Sequence, residues 1–350
     1  MKKIIFILIG LILAFFACSK ANDPFSDDTM QEIMRYNTVG FPVSIDISED
    51  YVFVAENATG VSYFNRGTGA LYQRLFDTYY TGPVNVPLRS TFLVKYIPEK
   101  NYLFIGNNVT NETISTRLYG FLIHDPTEEK KLIYNTLIQT VINDILYEIN
   151  PEDDSLLAIW NSFSTILKMR KFMVNVEPGP TDDVLEEIYV TSEEMPLPTN
   201  SLLAINDYII ASMGQWGVYI IQKDDFSHVS TTTTPGDAQD VKIKGDFLYV
   251  ADRHQGLQVI DASDITNPVL IKDAARATSG YATTIDISGN LLALSSNSGG
   301  VYLYDITEGD NPKLITRNRN LGYVYQVKFF EDELYVASRE YGVIRFQINI

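Results

Sequence analysis

The sequence predicts an all-β protein, a single β-propeller of seven blades with four antiparallel strands in each blade. Three observations predict it. A short strand that begins with glycine recurs along the chain, a two-stranded hairpin precedes most of its copies, and the commonest spacing is close to 44 residues. A repeat of about that length built from four strands is typical of a propeller blade.

The glycine-led strand has its clearest copy at residues 256–261, Gly-Leu-Gln-Val-Ile-Asp. The other copies begin at Gly60, Gly120, Gly217, Gly300 and Gly342, so the successive gaps are 60, 97, 39, 44 and 42 residues. The gap of 97 is about two periods, and we expect a hidden copy at residues 165–169, which have the strand pattern without the glycine. A glycine repeated at one place in a unit indicates an unusual φ or a close backbone approach.

The hairpin before this strand is clearest at residues 43–56, 239–252, 283–296 and 326–338, with looser copies near Ser90, Asn143 and Asn200. Its turns are Gly-Asp, Gly-Asn or Glu-Asp, which favour hairpins. Segments such as residues 268–271 supply a fourth strand. The Asp and Asn residues of the turns are interpreted as side-chain–backbone turn formers, with calcium ligands as the alternative. A two-sheet sandwich is the alternative fold, but it gives no reason for the repetition.

The units resemble the LVIVD-repeat family of bacterial and archaeal surface proteins. The resemblance is carried by residues 256–269 and 300–313, where a glycine-led strand is followed by an acidic turn that ends in Asn-Pro. It implies a propeller on or near the cell surface. It implies no catalytic residues for this chain.

The first residues are typical of a lipoprotein signal peptide, residues 1–17. Lys2 and Lys3 precede an apolar stretch of 14 residues, which is shorter than the roughly 20 apolar residues of a spanning helix. Cys18, the only cysteine of the chain, follows directly, and the segment resembles a lipobox with Phe15 in place of the usual Leu. We expect Cys18 to be lipidated and residues 18–30 to be a polar tether. The alternatives are an ordinary signal peptide with an incidental cysteine and a signal anchor.

The propeller itself is expected to span residues 31–350. The last unit ends after its third strand, and residues 33–37 precede the first blade by the interval at which a fourth strand precedes the last one. We therefore expect the N-terminal segment to pair as the outer strand of the last blade, because this would cover an exposed sheet edge.

Charge argues against several partners. Without residues 1–17 the chain has 25 Lys and Arg residues against 44 Asp and Glu residues, a net charge of −19. Nucleic acid binds to basic surfaces, so no nucleic-acid partner is expected for this acidic chain. Contact with a membrane should be through the lipid alone. Three histidines lie in different units with no second one at ligand spacing. No metal, cofactor or catalytic set is therefore predicted.

The loops between blades and those between second and third strands share one face of a propeller, here called the upper face. Arginines and aromatic residues, the types enriched at binding hot spots, gather in these loops. The candidate ligand-binding residues are Arg253, His254, Arg276, Tyr281, Arg317, Arg319, Tyr323, Arg339, Tyr341, Trp216 and Trp160. The alternatives are that the aromatic residues fill gaps between blades and that each arginine pairs with a carboxylate such as Asp252 or Glu340.

These observations predict a monomeric, lipid-anchored module at the outer membrane or cell surface that binds a glycan or a protein without catalysis. One alternative is a lactonase-like or lyase-like enzyme at the channel mouth. Three or more carboxylates or amides converging on the axis would favour the enzyme. An open aromatic surface without them would favour the binding module. A third hypothesis is a structural envelope component that pairs edge-on with itself.

The anchor can be tested directly. Mass spectrometry of the N-terminal peptide of protein from native membranes should show acylated Cys18, because a basic start, an apolar run and Ala17 lead directly into it. The Cys18→Ser variant should leave the membrane fraction. An intact leader with unmodified Cys18 would contradict the prediction.

Overall fold

The computed structural model describes residues 27–80, 84–111, 113–123, 131–138, 142–160, 166–174, 185–194 and 199–350. Within them are seven four-stranded antiparallel sheets and one separate two-stranded hairpin. The predicted β-propeller is confirmed. The signal peptide and Cys18 lie outside the described residues, and no helix among the described residues is long and apolar enough to span a membrane.

The chain enters through a 3₁₀ turn (Asp27–Thr29) and strand β1 (Met30–Tyr36). Blade 1 contains β2 (Ser44–Ile47), β3 (Tyr51–Ala55), β4 (Val61–Asn65) and β5 (Leu71–Leu75). The separate hairpin is β6 (Asp77–Tyr80) and β7 (Val84–Pro87). Blade 2 contains β8 (Thr91–Ile97), β9 (Tyr102–Asn111), β10 (Thr113–Leu122) and β11 (Lys131–Ile138). Blade 3 contains β12 (Ile145–Ile149), β13 (Leu156–Trp160), β14 (Ile166–Val174) and β15 (Leu185–Glu194).

Blade 4 contains β16 (Ser201–Ile205), β17 (Tyr208–Ser212), β18 (Val218–Gln222) and β19 (His228–Thr232). Blade 5 contains β20 (Asp240–Lys244), β21 (Phe247–Ala251), β22 (Leu257–Asp261) and β23 (Val269–Leu270), followed by a 3₁₀ turn (Lys272–Ala274). Blade 6 contains β24 (Thr284–Ser288), β25 (Leu291–Ser295), β26 (Val301–Asp305) and β27 (Lys313–Asn318). Blade 7 contains β28 (Val324–Phe330), β29 (Glu333–Ser338) and β30 (Gly342–Ile348), to which β1 is added. The hidden third strand expected near residue 165 is confirmed as β14.

The core lies between blades. The second strands β3, β21, β25 and β29 are buried almost throughout, because each packs against a neighbouring blade on both faces. One apolar cluster joins Phe53 and Tyr63 of blade 1 to Tyr96 and Ile105 of blade 2. A strand buried on both faces loses its polar alternation, which explains why these strands read as continuous apolar runs.

The repeated glycine has a steric cause. Gly60, Gly217, Gly256, Gly300 and Gly342 all have a positive φ, between 73° and 86°. A Cβ on any of them would lie 2.0–2.4 Å from a carbonyl oxygen of the outer strand or the loop that follows it. Only glycine therefore lets the third strand start so close to the end of the fourth.

Gly120 departs from this pattern, and the prediction is wrong there. It lies inside β10, without a positive φ, and a Cβ there would press on Tyr134 Cβ at 2.9 Å. Strands β9 and β10 have ten residues each, twice the length of β3 and β4, so the glycine falls late in the third strand.

The acidic turns are confirmed as turn formers. Carboxylate oxygens of Asp225, Asp261, Asp264 and Asp305 each accept the N–H of the residue two positions later, at 2.8–3.0 Å. These hydrogen bonds lower the pKa of each of the four carboxyls.

The predicted closure is also confirmed. Strand β1 pairs antiparallel with β30, from Met30 opposite Ile348 to Tyr36 opposite Val343. The Tyr36 ring is fully buried, stacks on Tyr335 at 6.3 Å between centroids, and its hydroxyl donates to Arg66 O at 2.7 Å. The N-terminal segment thus ties blade 7 to blade 1.

Closure through β1 gives a matched pair of variants. Tyr36→Ala should lower the free energy of unfolding by about 3–5 kcal/mol, because a large buried ring is lost. Ile33→Ala on the same strand should have little effect, since its side chain is 41% exposed. Chemical denaturation measures both, and equal effects would contradict a closing role for the buried face of β1.

Candidate functional site

An axial cavity opens toward the upper face. Its volume is about 240 Å³, and inner-strand segments of all seven blades line it. The lining residues are Val43, Ser44, Phe92, Leu93, Lys95, Asn143, Asp144, Asn200, Ser201, Gln239, Asp240, Lys242, Thr283, Thr284, Tyr325 and Gln326.

Acidic and basic side chains lie together around the axis at and below this cavity. We call them the charge ring, which consists of Asp46, Lys95, Asp144, Asp240, Lys242, Asp286 and Lys328. Lys328 Nζ lies 2.6 Å from Asp46 Oδ1, and Lys95 Nζ lies 3.4 Å from Asp144 Oδ1. Lys242 lies within electrostatic range of Asp240 and Asp286.

The aspartates of the ring also join neighbouring blades. Asp46, Asp144, Asp240 and Asp286 each accept a backbone N–H from the inner strand of the next blade. The donors are Tyr96 at 2.7 Å, Leu202 at 3.1 Å, Ile285 at 2.9 Å and Phe329 at 2.7 Å. Gln326 Oε1 accepts the N–H of Ile45 at 2.7 Å and thereby joins blade 7 to blade 1.

The ring keeps its lysines charged. The nearby Asp144 carboxylate raises the pKa of Lys95 against the effect of burial, and Asp240 does the same for Lys242. Burial raises the pKa of Asp240 itself, although Lys242 and two backbone N–H groups oppose it. Sequence reasoning missed this ring. The available signal was an Asp or Lys inside predicted strands such as residues 43–47 and 239–244.

Above the cavity, five of the predicted site residues and one that was not predicted form a group that we call the rim cluster. Its members are Phe41, Arg253, His254, Tyr281, Tyr323 and Arg339. The His254 and Tyr281 ring centroids are 4.3 Å apart, and the Arg253 guanidinium lies 5.7 Å from the Tyr281 centroid. Arg339 lies over the Phe41 ring at 4.6 Å.

Tyr323 connects the two sides of the cluster. Its ring is 4.9 Å from that of Tyr325, which lines the cavity below. Burial and Tyr325 raise the pKa of Tyr323, while Arg339 and Arg253 lie close enough to oppose them. The rim cluster is therefore continuous with the mouth of the axial cavity.

The two rim arginines differ in their partners. Arg253 Nη1 forms a salt bridge with Asp237 Oδ2 at 2.6 Å. Arg339 forms no salt bridge with any described carboxylate. The partners considered from the sequence are occupied elsewhere, since Asp252 accepts Gly236 N–H and the hydroxyl of Thr234, and Glu340 accepts Tyr323 N–H.

Three other predicted arginines lie on the outer side of blades 5 and 6, away from the rim cluster. Arg276 donates to Pro312 O at 2.8 Å and to Asn311 Oδ1 at 2.7 Å, so it joins the two blades. Arg317 lies on β27 opposite Tyr302. Burial raises the pKa of Tyr302, but hydrogen bonds from Ser279 and Arg319 outweigh it and lower that pKa.

The remaining predicted residues are separate from the rim cluster. Tyr341 is exposed and lies under Arg35, at 5.2 Å. Trp216 is exposed in the upper loop of blade 4. Trp160 is fully buried in the apolar cluster shared by blades 2 and 3. Its assignment to an exposed surface needs correction, because its ring has no contact with solvent and fills a gap between blades.

Phe41 and Tyr325 were not singled out from the sequence. Phe41 lies three residues before β2, and Tyr325 is the second residue of β28, just before the predicted hairpin of residues 326–338, so the sequence gives no direction for either side chain. Among the described residues, no group of three or more His, Cys, Asp or Glu side chains is arranged to hold a metal ion.

Residues 235–274 match the family model of the LVIVD repeat, which covers the loop before blade 5 and most of that blade. No curated protein matches the sequence.

Solved structures show the same fold at low sequence identity. U3-55K is 10% identical with a TM-score of 0.68, covering 92% of this chain and 99% of its own. The RRP9 WD40 repeats are 11% identical with a TM-score of 0.66, at 93% and 98% coverage. The computationally designed Ika8 protein is 9% identical with a TM-score of 0.62, at 91% and 100% coverage. The chain is a β-propeller repeat protein.

The charge ring can be tested through two lysine–carboxylate pairs. Lys328→Met should lower the free energy of unfolding by about 2–4 kcal/mol, because it leaves Asp46, which is 8% exposed, without its cation. Lys313→Met, in an exposed pair with Glu308, should cause no measurable change. If urea denaturation shows that Lys328→Met changes the free energy of unfolding as little as Lys313→Met does, the ring adds no stability.

Proposed function

We propose that the chain is a lipid-anchored binding module of the cell envelope whose rim cluster recognises an anionic group, the carboxylate or sulfate of a glycan or the carboxylate of an acidic protein segment. The coarser conclusion, a β-propeller that serves as a binding module, agrees with the fold and the LVIVD repeat. The proposal that the rim cluster recognises an anionic group depends mainly on Arg339.

Arg339 combines three features of an anion-binding residue. It is exposed, it forms no salt bridge with a described carboxylate, and its guanidinium is held over Phe41. A planar guanidinium held on an aromatic ring loses less freedom on binding and can donate two parallel hydrogen bonds to a carboxylate or sulfate.

The aromatic residues around Arg339 add a stacking surface. Phe41 and Tyr281 are each 43% exposed, and His254 is exposed beside Tyr281. Sugar rings and peptide groups both pack on such rings, and the polar edges of Tyr and His keep the surface soluble. The combination favours an anionic ligand that also has carbon surface over a free inorganic anion.

The direction of β1 supports presentation of the upper face. Strand β1 runs from the lower face, where Met30 lies opposite Ile348, to the upper face, where Tyr36 lies opposite Val343. The dozen residues from Cys18 to β1 reach at most about 40 Å. A lipid on Cys18 would therefore hold the lower face toward the membrane, and the rim cluster would point away from it.

One observation favours the alternative of a propeller enzyme. Four carboxylates converge on the axis, and burial raises the pKa of Asp240, as is common at catalytic sites. Both oxygens of Asp240, however, already accept backbone N–H groups, from Val241 and Ile285. A binding module is the better conclusion because both oxygens of Asp240 are occupied and each of the four aspartates accepts an N–H from the next blade.

The binding face can be tested with one arginine inside the rim cluster and one outside it. On an array of acidic glycans and acidic peptides, Arg339→Ala should bind its best ligand about tenfold more weakly or worse, since a charge-assisted hydrogen bond is lost. Its melting temperature should not change.

Arg276→Ala is the matched control. It should lower the melting temperature, because its bonds to Pro312 and Asn311 are lost, without weakening binding by the folded protein.

The class of the bound array members distinguishes glycan from peptide. Release of altered glycan during incubation would indicate the enzyme, and no binding by the wild type would refute the proposed function.

A further inference from the structure

We propose that the axial cavity below the rim cluster is a second binding site, which takes a neutral polyhydroxylated ring the size of a single sugar or cyclitol. The proposal does not depend on the anion-binding function of the rim cluster. It is based on polar atoms that line the cavity and that the hydrogen bonds of the fold leave unused.

Several side chains that line the cavity use one polar atom in a hydrogen bond of the fold and have a second polar atom that remains available. Gln326 Oε1 accepts Ile45 N–H, which leaves its Nε2 as a donor. Asn200 Nδ2 donates to Ala238 O at 2.8 Å, which leaves its Oδ1 as an acceptor. Gln239 Nε2 donates to Asp237, which leaves its Oε1 as an acceptor. No other bond to these three remaining atoms occurs among the described residues, and all three side chains line the cavity.

Lys242 supplies the strongest donor. It lines the cavity, and no described carboxylate oxygen lies within salt-bridge distance of its Nζ, unlike Lys95 and Lys328. Asp240 raises its pKa, so the ammonium group stays charged with three N–H donors. The donors of Lys242 and Gln326 therefore share a small space with the acceptors of Asn200 and Gln239.

The charges of the ring favour a neutral ligand. Its three lysines and four aspartates nearly cancel, so neither an anion nor a cation gains enough attraction to offset the loss of its water. A hydroxyl both donates and accepts, and a ring with several hydroxyls can satisfy a mixed set of donors and acceptors. Phe92 and Tyr325 add carbon surface to the wall.

The size of the cavity sets an upper limit. Pockets for drug-sized ligands hold about 300–1,000 Å³. The axial cavity, at about 240 Å³, is smaller and is suited to one six-membered ring.

The experiment uses the full mature chain with a panel of free hexoses, pentoses and inositols, followed by saturation-transfer NMR and calorimetry. At least one panel member should bind the wild type. Lys242→Met should weaken that binding about tenfold, because a charged donor is lost.

Lys244→Met is the matched control, two residues further along β20, where its side chain hydrogen-bonds Asn290 outside the cavity. It should leave the affinity within about twofold. Gln326→Glu retains the acceptor for Ile45 N–H and removes the Nε2 donor, so it should weaken sugar binding while the protein remains folded.

Arg339→Ala should leave sugar binding unchanged, which separates this site from the rim cluster. No binding of any panel member to the wild type would overturn the proposal. Equal losses in the Lys242→Met and Lys244→Met variants, or undiminished binding by folded Gln326→Glu, would also overturn it.

Discussion

The structure depends on side-chain hydrogen bonds that fasten neighbouring inner strands to one another at five junctions between blades around the axis. A propeller has no continuous sheet between blades, so the backbone ladders that stabilise each blade end at its inner edge. Asp46, Asp144, Asp240 and Asp286 cross this gap by accepting N–H groups of the next inner strand, and Gln326 does the same from blade 7 to blade 1. These bonds satisfy backbone donors that would otherwise face the axis unpaired.

The use of carboxylates for this task explains the lysines. Four negative charges close to one axis would repel one another strongly in a partly buried channel. Lys95, Lys242 and Lys328 offset them, and the pKa of each lysine is raised despite burial. The apolar clusters between blades supply the bulk of the burial, while the charge ring determines how neighbouring inner strands are aligned.

The same arrangement explains why binding groups collect at the upper mouth. A side chain that joins two blades is already held in one direction, and its second polar atom then faces the cavity without further ordering. Above it, the rim arginines divide into Arg253, paired with Asp237, and Arg339, held only by Phe41 among the described residues. The pairing of β1 with β30 brings together the loop after β1, which contains Phe41, and the loop before β30, which contains Arg339.

The sequence by itself determined the β-propeller fold, the hidden strand β14, the turn-forming aspartates and the closing strand β1, because all of these depend on local periodicity and turn chemistry. It also identified most of the rim cluster as arginines and aromatic residues of the upper loops. The direction of each side chain was decided only by the tertiary structure. Trp160 and Arg276 come from the same kind of segment as Tyr281 and Arg339, yet one is buried and the other joins two blades. The charge ring and Phe41 were not predicted from the sequence for the same physical reason. Their contact partners are 40 or more residues away in the chain and meet them only when seven blades surround one axis.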